Sequence, residues 1–223
     1  MLKTKSIFDR SEVSGAVISD RAYNLTIGVV LAWGFIINYL MIVSIPAEAV
    51  MRINPLLLIV GYFVCCIAGT IIFNRSDNPL ISFIGYNMVV VPIGIIITPF
   101  VQSFDPEIVK DAVMATGMVT VVMMILSTIY PAFFFRIAKG LFIALIAVIV
   151  VELLMVFIMG RSVEWIDWVV VGIFCGYIGY DWARANAIPK TLDNAVDSAA
   201  AIYIYIINLF IRRIRINKLI ISI

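Results

Sequence analysis

The chain has 223 residues, of which 63% are hydrophobic and only 13% are charged, and its formal net charge at pH 7 is +2. A soluble domain of this length cannot bury so much apolar surface, so the composition excludes a soluble protein and predicts a multi-pass integral protein of the lipid bilayer. The small net charge, with basic residues outside the apolar runs, excludes a nucleic-acid partner, because nucleic-acid-binding proteins carry a basic patch or stripe.

Seven apolar segments follow one another along the chain, each close to the ~20 residues that a helix needs to cross ~30 Å of hydrocarbon. Each run is continuously apolar rather than alternating, so the sequence predicts an all-α membrane protein, a bundle of seven transmembrane helices. The segments are 23–45, 55–73, 79–101, 113–135, 140–159, 163–182 and 199–211. The predicted organisation is an N-terminal tail over 1–22, a transmembrane domain over 23–211 and a basic C-terminal tail over 212–223.

Charged residues between the segments predict the orientation. Basic residues are more frequent in the N-terminal tail and in the second, fourth and sixth connections than in the others, which places the amino terminus in the cytoplasm. The cluster Arg212, Arg213, Arg215 and Lys218 lies outside if all seven segments cross, and in the cytoplasm if the short last segment re-enters. We expect seven crossings. Because no cleavable signal is recognisable, we expect a bacterial inner (cell) membrane.

Glu152 lies farther from the ends of its segment than any other acid in the chain. It is either part of an ion or proton path, or a neutral glutamic acid that donates one hydrogen bond to a neighbouring helix. At the start of the sixth segment, Glu164 and Asp167 stand beside Trp165 and Trp168. That mixture of acids and indoles is typical of an interfacial anchor.

Asp181 stands where the sixth segment ends. A carboxylate in or at the edge of the hydrocarbon is unfavourable by several kcal/mol unless it faces a polar cavity or a partner, so the default interpretation is functional. The alternative is a helix-end acid in headgroup water.

A polar stripe runs along the last segment. At helical spacing Asp197, Tyr205, Asn208 and Arg212 fall on one face, which must contact protein or water. The alternative to a functional stripe is a set of interhelical hydrogen bonds without a ligand.

At these residues the chain resembles the Bax inhibitor-1 family of membrane proteins. The resemblance is carried by Tyr180-Asp181 at the end of the sixth segment and by Ile207-Asn208-Leu209-Phe210 in the seventh. The stretch from Gly94 to Pro99 in the third segment and Ala115-Thr116-Gly117 in the fourth are similar to the family as well. The apolar segments, their spacing and these motifs together extend the resemblance over most of the chain.

The resemblance implies a bundle in which six helices surround the last one and which acts as a pH-sensitive calcium leak channel. In the family two aspartates, one in each of the last two spans, share protons and close the pore through contact with an arginine. Asp181 matches the first aspartate and is the candidate metal ligand, Tyr205 stands where the second is expected, and Arg75 is the counterpart of the arginine. Asp197, two turns earlier, is a candidate for a second site near the cytoplasmic mouth.

Tyr205 weakens the implied calcium site, because calcium prefers six to eight oxygens that often include carboxylates, whereas a tyrosine offers a hydroxyl. Two close carboxylates would also titrate as a coupled pair. Asp181 and Tyr205 provide only one carboxylate, so they do not form such a pair. Asn208 completes the polar face of the predicted ion pathway.

Other function classes have less support. The chain has no histidine and no Gly-x-Ser-x-Gly elbow, so we expect no enzyme and no cofactor. The resemblance implies calcium ions or protons as the transported species. The three cysteines lie in apolar segments and are expected to be packing residues.

A secondary transporter would need related halves, and no internal repeat is recognisable. A non-conducting regulatory or structural membrane protein stays open because the second aspartate is missing. The expected partner is the lipid bilayer, and the sequence identifies no particular protein partner.

Overall fold

The computed structural model describes residues 15–159 and 164–221, so most of the predicted N-terminal tail, residues 1–14, lies outside the described residues. Eight α-helices lie in the described ranges: α1 (Asp20–Ser44), α2 (Ala47–Met51), α3 (Pro55–Arg75), α4 (Pro79–Gln102), α5 (Pro106–Ile129), α6 (Pro131–Met159), α7 (Glu164–Ala185) and α8 (Leu192–Ile221). Extended backbone pairs within these ranges at an isolated antiparallel bridge between Val17 and Thr191. The predicted all-α class is confirmed for the described residues.

The seven long helices, α1 and α3 to α8, overlap the seven predicted segments in order. Six of them are long and apolar enough to cross a membrane, namely α1, α3, α4, α5, α6 and α8. The helix α7 is not among the six, and it carries Asp167 near its start and Asp181 near its end. The six helices support a multi-pass membrane protein, whereas the seventh crossing stays a prediction. The short α2 has no predicted counterpart, because five residues are too few for a periodic signal.

The predicted break between the fourth and fifth segments, at residues 136–139, is wrong. In the structure α5 ends at Ile129 and α6 begins at Pro131. Proline has no backbone N–H to donate, so it can occupy the first position of a helix without the loss of a hydrogen bond. Helix α5 also begins earlier than predicted, because the Asp105 side chain caps it by accepting a hydrogen bond from the Glu107 backbone N–H at 2.8 Å.

The last helix is longer than its predicted segment at both ends. Thr191 caps α8, since its hydroxyl oxygen accepts a hydrogen bond from the Asn194 backbone N–H at 3.1 Å. At its other end α8 runs to Ile221, so the arginines predicted to lie in a basic tail are helical. The apolar window of α8 is 67% buried, against 44% for the next most buried candidate span, α4. This burial is compatible with an inner helix, but the central position of α8 stays a prediction.

The chain divides into two compact units, and the division falls within α8. Among the described residues, the first unit comprises 15–104 and 187–201. In it α4 packs against α1, α2 and α3. Helices α3 and α4 approach so closely at Gly69 and Gly85 that a Cβ on Gly85 would lie 2.7 Å from the Gly69 carbonyl oxygen. Small residues permit such contacts between membrane helices.

The described part of the second unit comprises residues 105–159, 164–186 and 202–221. In it α7 packs against α5 and α6. Two glycines of α7 pack against large side chains of α6. A Cβ on Gly176 would contact Leu141, and a Cβ on Gly179 would contact the Phe134 ring. Near the end of α7 the Trp182 indole donates a hydrogen bond to the Thr128 hydroxyl of α5 at 2.9 Å. These contacts fix the rotation of α7 and therefore the direction of its acidic side chains.

Candidate functional site

Asp181 lies one turn before the end of α7 and is buried, with 6% of its surface exposed. The Tyr205 hydroxyl of α8 donates a hydrogen bond to its carboxylate. Tyr177, one turn earlier on the same face of α7, stacks on the Tyr205 ring with centroids 4.7 Å apart and planes inclined by 11°. Tyr205 is thus held against α7 by an aromatic contact and a polar one. The structure therefore brings together Asp181 and Tyr205, the two positions at which the resemblance places the family's aspartates.

A positive charge of the same unit accompanies Asp181. Arg184, three residues later on α7, lies close enough to interact electrostatically with its carboxylate. The Arg184 guanidinium donates a hydrogen bond to the Tyr180 hydroxyl at 3.0 Å and lies over that ring, 5.4 Å from its centroid. The predicted partner, Arg75, is the exposed last residue of α3 in the first unit. Its contact with Asp181 stays a prediction, whereas Arg184 is a local cation that the sequence analysis missed.

The other predicted pathway residues of α8 have separate environments. The Asn208 side-chain amide donates a hydrogen bond at 2.7 Å to the Ile204 carbonyl of the same helix. Its N–H group is therefore satisfied locally, within α8. Asp197 lies in the first unit and is buried, with 1% of its surface exposed. It lies close to Tyr23, whose hydroxyl is 3.1 Å from the Ser198 hydroxyl. Among the described residues of the second unit, no hydrogen bond connects Asn208 to Asp181.

A cluster of four charged side chains lies at the other end of α7. The Arg212 guanidinium of α8 donates hydrogen bonds to both carboxylate oxygens of Glu152 on α6, at 2.8 and 2.7 Å. One of its nitrogens, Nη1, also donates to Asp167 of α7 at 2.6 Å. Arg215 lies 3.6 Å from Glu152 and 3.5 Å from Asp167. We call these four residues the Arg212 cluster.

The Arg212 cluster corrects two interpretations. Glu152 accepts hydrogen bonds from an arginine, so its interpretation as a neutral donor without a charged partner is wrong. Asp167 is 2% exposed, so it is not an interfacial anchor, although Trp165 and Trp168 on either side of it are exposed. At 3.6 residues per turn, Asp167 points away from the face that carries the two indoles. The acid faces protein while the indoles face outward.

A family comparison identifies the kind of protein to which these sites belong. The family described as "Inhibitor of apoptosis-promoting Bax1" matches residues 16–220, nearly the whole chain. The chain belongs to the Bax inhibitor-1 family. No curated protein is significantly similar to it in sequence. Membership confirms the resemblance seen in the motifs and supports a multi-pass membrane protein.

In this Bax inhibitor-1 family member the metal-binding potential of the described residues is limited. Among residues 15–159 and 164–221, no three side chains of the histidine, cysteine, aspartate or glutamate type gather as a metal centre would require. Asp181 contributes one carboxylate and Tyr205 one hydroxyl, which is fewer than the six to eight oxygens that calcium prefers.

The sequence carried one signal for the Arg212 cluster. Arg212 and Arg215 are three residues apart and therefore share a face of α8, and two apolar segments carry the acids Glu152 and Asp167. Two arginines on one face and two acids in apolar segments suggest mutual pairing, since charges within a membrane pair with one another. Nothing in the sequence specifies which acid meets which arginine, because Glu152 and Arg212 are 60 positions apart.

Proposed function

We propose that this member of the Bax inhibitor-1 family is a pH-sensitive calcium leak channel of a bacterial inner membrane, with its amino terminus in the cytoplasm and no enzymatic activity. The observation that carries the proposal is the buried hydrogen bond between Asp181 and Tyr205. An ionisable group inside a membrane helix is unfavourable unless it serves a path or a partner, so it marks candidate ion and proton pathways. In the proposed channel Asp181 is the gate carboxylate.

Protonation of Asp181 would change the charge of the gate by one unit. The ionised carboxylate offers a negative charge to a cation and accepts the Tyr205 hydrogen bond, while the protonated form offers no charge. Arg184 lies close by and competes with a passing cation for the ionised form. Because Tyr205 replaces a second carboxylate, the gate holds one titrating acid instead of a coupled pair. We therefore propose a weaker pH response than a carboxylate pair would produce.

Ion flux into liposomes tests the proposed function directly. Purified protein is reconstituted into liposomes that contain a calcium-sensitive dye, and external calcium is added at several pH values. We expect the dye signal to rise faster than in liposomes without protein, with a rate that depends on pH. A parallel experiment with a pH-sensitive dye measures protons. If neither ion crosses faster than in empty liposomes, the channel is refuted and a non-conducting regulatory membrane protein is the better proposal.

A substitution at Tyr205 tests the role of the missing carboxylate. Tyr205→Asp should bind calcium more tightly than the wild type, by on the order of tenfold, because it places a second carboxylate next to Asp181. The pH response of flux should also become steeper, since two close acids titrate as a pair. Calorimetric calcium titration measures the affinity. Tyr205→Asn is the matched control, as it has the same shape as aspartate without the charge. Equal calcium affinity of the two variants would contradict the prediction.

A further inference from the structure

The Arg212 cluster joins three helices of the second unit through one side chain. Arg212 belongs to α8, Glu152 to α6 and Asp167 to α7, and each acid lies within 2.8 Å of the guanidinium nitrogens. Nη1 donates to both acids, so the two carboxylates face each other across a single nitrogen. A guanidinium in this position fills the space between them. No cation can occupy that space while Arg212 is in place.

The cluster and Asp181 mark opposite ends of α7. Asp167 precedes Asp181 by fourteen residues in the chain, or about 21 Å along a helix at 1.5 Å per residue. Helix α8 is antiparallel to α7 in this region, because Tyr205 meets the end of α7 and Arg212 meets its start. The two polar contacts therefore hold the second half of α8 at two separate levels.

We propose that Arg212 is a latch, which holds α8 against α6 and α7 and closes the conducting path at a second level, away from Asp181. This proposal rests on the proposed function, because it assigns a second closure point to the same channel. Arg212 is a positioning residue for the path, and it acts by occupying the space between Glu152 and Asp167.

Arg215 gives the latch an alternative state. It lies one helical step of three residues after Arg212, about 4.5 Å along the axis, and 3.5 and 3.6 Å from the same two carboxylates. If Arg212 withdraws from between the acids, Arg215 still compensates their charge at these distances and leaves the space between them open. The arrangement with Arg212 between the two acids is the closed state, and the arrangement in which Arg215 alone pairs with them is the released state.

The latch predicts effects of opposite sign for two similar substitutions. Arg212→Gln should favour the released state and raise the calcium leak tenfold or more, a change of about 1.4 kcal/mol in the barrier. Arg215→Gln should remove the alternative partner and lower the leak below that of the wild type. Arg213→Gln is the matched control, since it loses the same charge at the neighbouring position, and its Nε has no hydrogen-bond partner among the described residues. If the first two substitutions change the leak in the same direction, the cluster is only a structural contact and the latch is refuted.

A second variant keeps the proposal testable if Arg212→Gln alone does not fold. The double substitution Glu152→Gln with Arg212→Gln removes one charge of each sign and leaves Asp167 with Arg215. We expect a folded protein with a raised leak, and a folded protein with the wild-type leak would overturn the latch.

A measurement that does not use flux separates this proposal from the channel itself. If the wild type and all variants conduct nothing, the proposed function fails, and hydrogen exchange of the α8 backbone amides between Tyr205 and Arg215 decides the latch. Faster exchange in the double variant than in Arg213→Gln supports the part of the proposal in which Arg212 holds α8 against α6 and α7. Equal exchange rates in those two proteins refute it.

Discussion

Replacement of Asp181 by asparagine is expected to abolish the pH dependence of the calcium leak. The variant keeps a side chain of the same shape that can still accept the Tyr205 hydrogen bond, but it has no carboxyl to protonate. Flux into dye-loaded liposomes is measured between about pH 6 and 8, the range in which a carboxyl in an apolar environment can titrate. We expect rates at the two limits that agree within about twofold, a difference of less than ~0.5 kcal/mol in the barrier.

The control for this experiment is Asp111→Asn, which removes an exposed acid of α5 and should leave the pH response of the wild type intact. Both variants lose one negative charge, so a general electrostatic effect on calcium near the membrane would appear in both. A pH response that survives in Asp181→Asn would show that another group is the sensor. The Arg212 cluster, with its two acids, would be the next place to test.

Replacement of Arg212 by methionine is expected to destabilise the protein by about 2–4 kcal/mol, somewhat less than the loss of one partner from a fully buried ion pair, because Asp167 is buried but Arg212 and Glu152 are partly exposed. Methionine preserves much of the apolar stem but leaves Glu152 and Asp167 with Arg215, which lies at least 3.5 Å from either acid. In a protein of this size that change corresponds to a decrease of roughly 10 °C in the apparent unfolding temperature in detergent.

Arg213→Met is the matched control, because it makes the same replacement one position later, outside the Arg212 cluster. Its unfolding temperature should stay close to that of the wild type. A small effect of Arg212→Met, comparable with the control, would mean that water or Arg215 compensates the two acids. That outcome would contradict a tight Arg212 cluster irrespective of any effect on conduction.

Local chemistry was sufficient to predict a large part of this protein. Continuous apolar runs of about twenty residues can only be buried in lipid as helices, so the membrane class and the order of the helices follow from composition and length. The contact between Asp181 and Tyr205 could also be predicted from the sequence. The family resemblance places these two positions in the last two spans, which follow one another in the chain and are expected to be neighbours. The charged residues led to one wrong helix boundary, between the fourth and fifth segments. Arg136 and Lys139 were expected in the connection, but they lie within α6, which begins at Pro131.

By itself the sequence determined that the chain is a multi-pass helical membrane protein of the Bax inhibitor-1 family and that Asp181 stands at the end of the sixth apolar segment. Only the tertiary structure decided the partners of the charges. The sequence left two interpretations of Glu152 open, a member of an ion or proton path and a neutral hydrogen-bond donor, because no basic residue lies near it in the chain. In the structure Arg212, 60 positions away, pairs with it. Side chains in different helices meet according to the rotation and packing of those helices, which distant residues such as Phe134 and Gly179 set together. Helical periodicity specifies which residues share a face, whereas packing specifies what that face contacts.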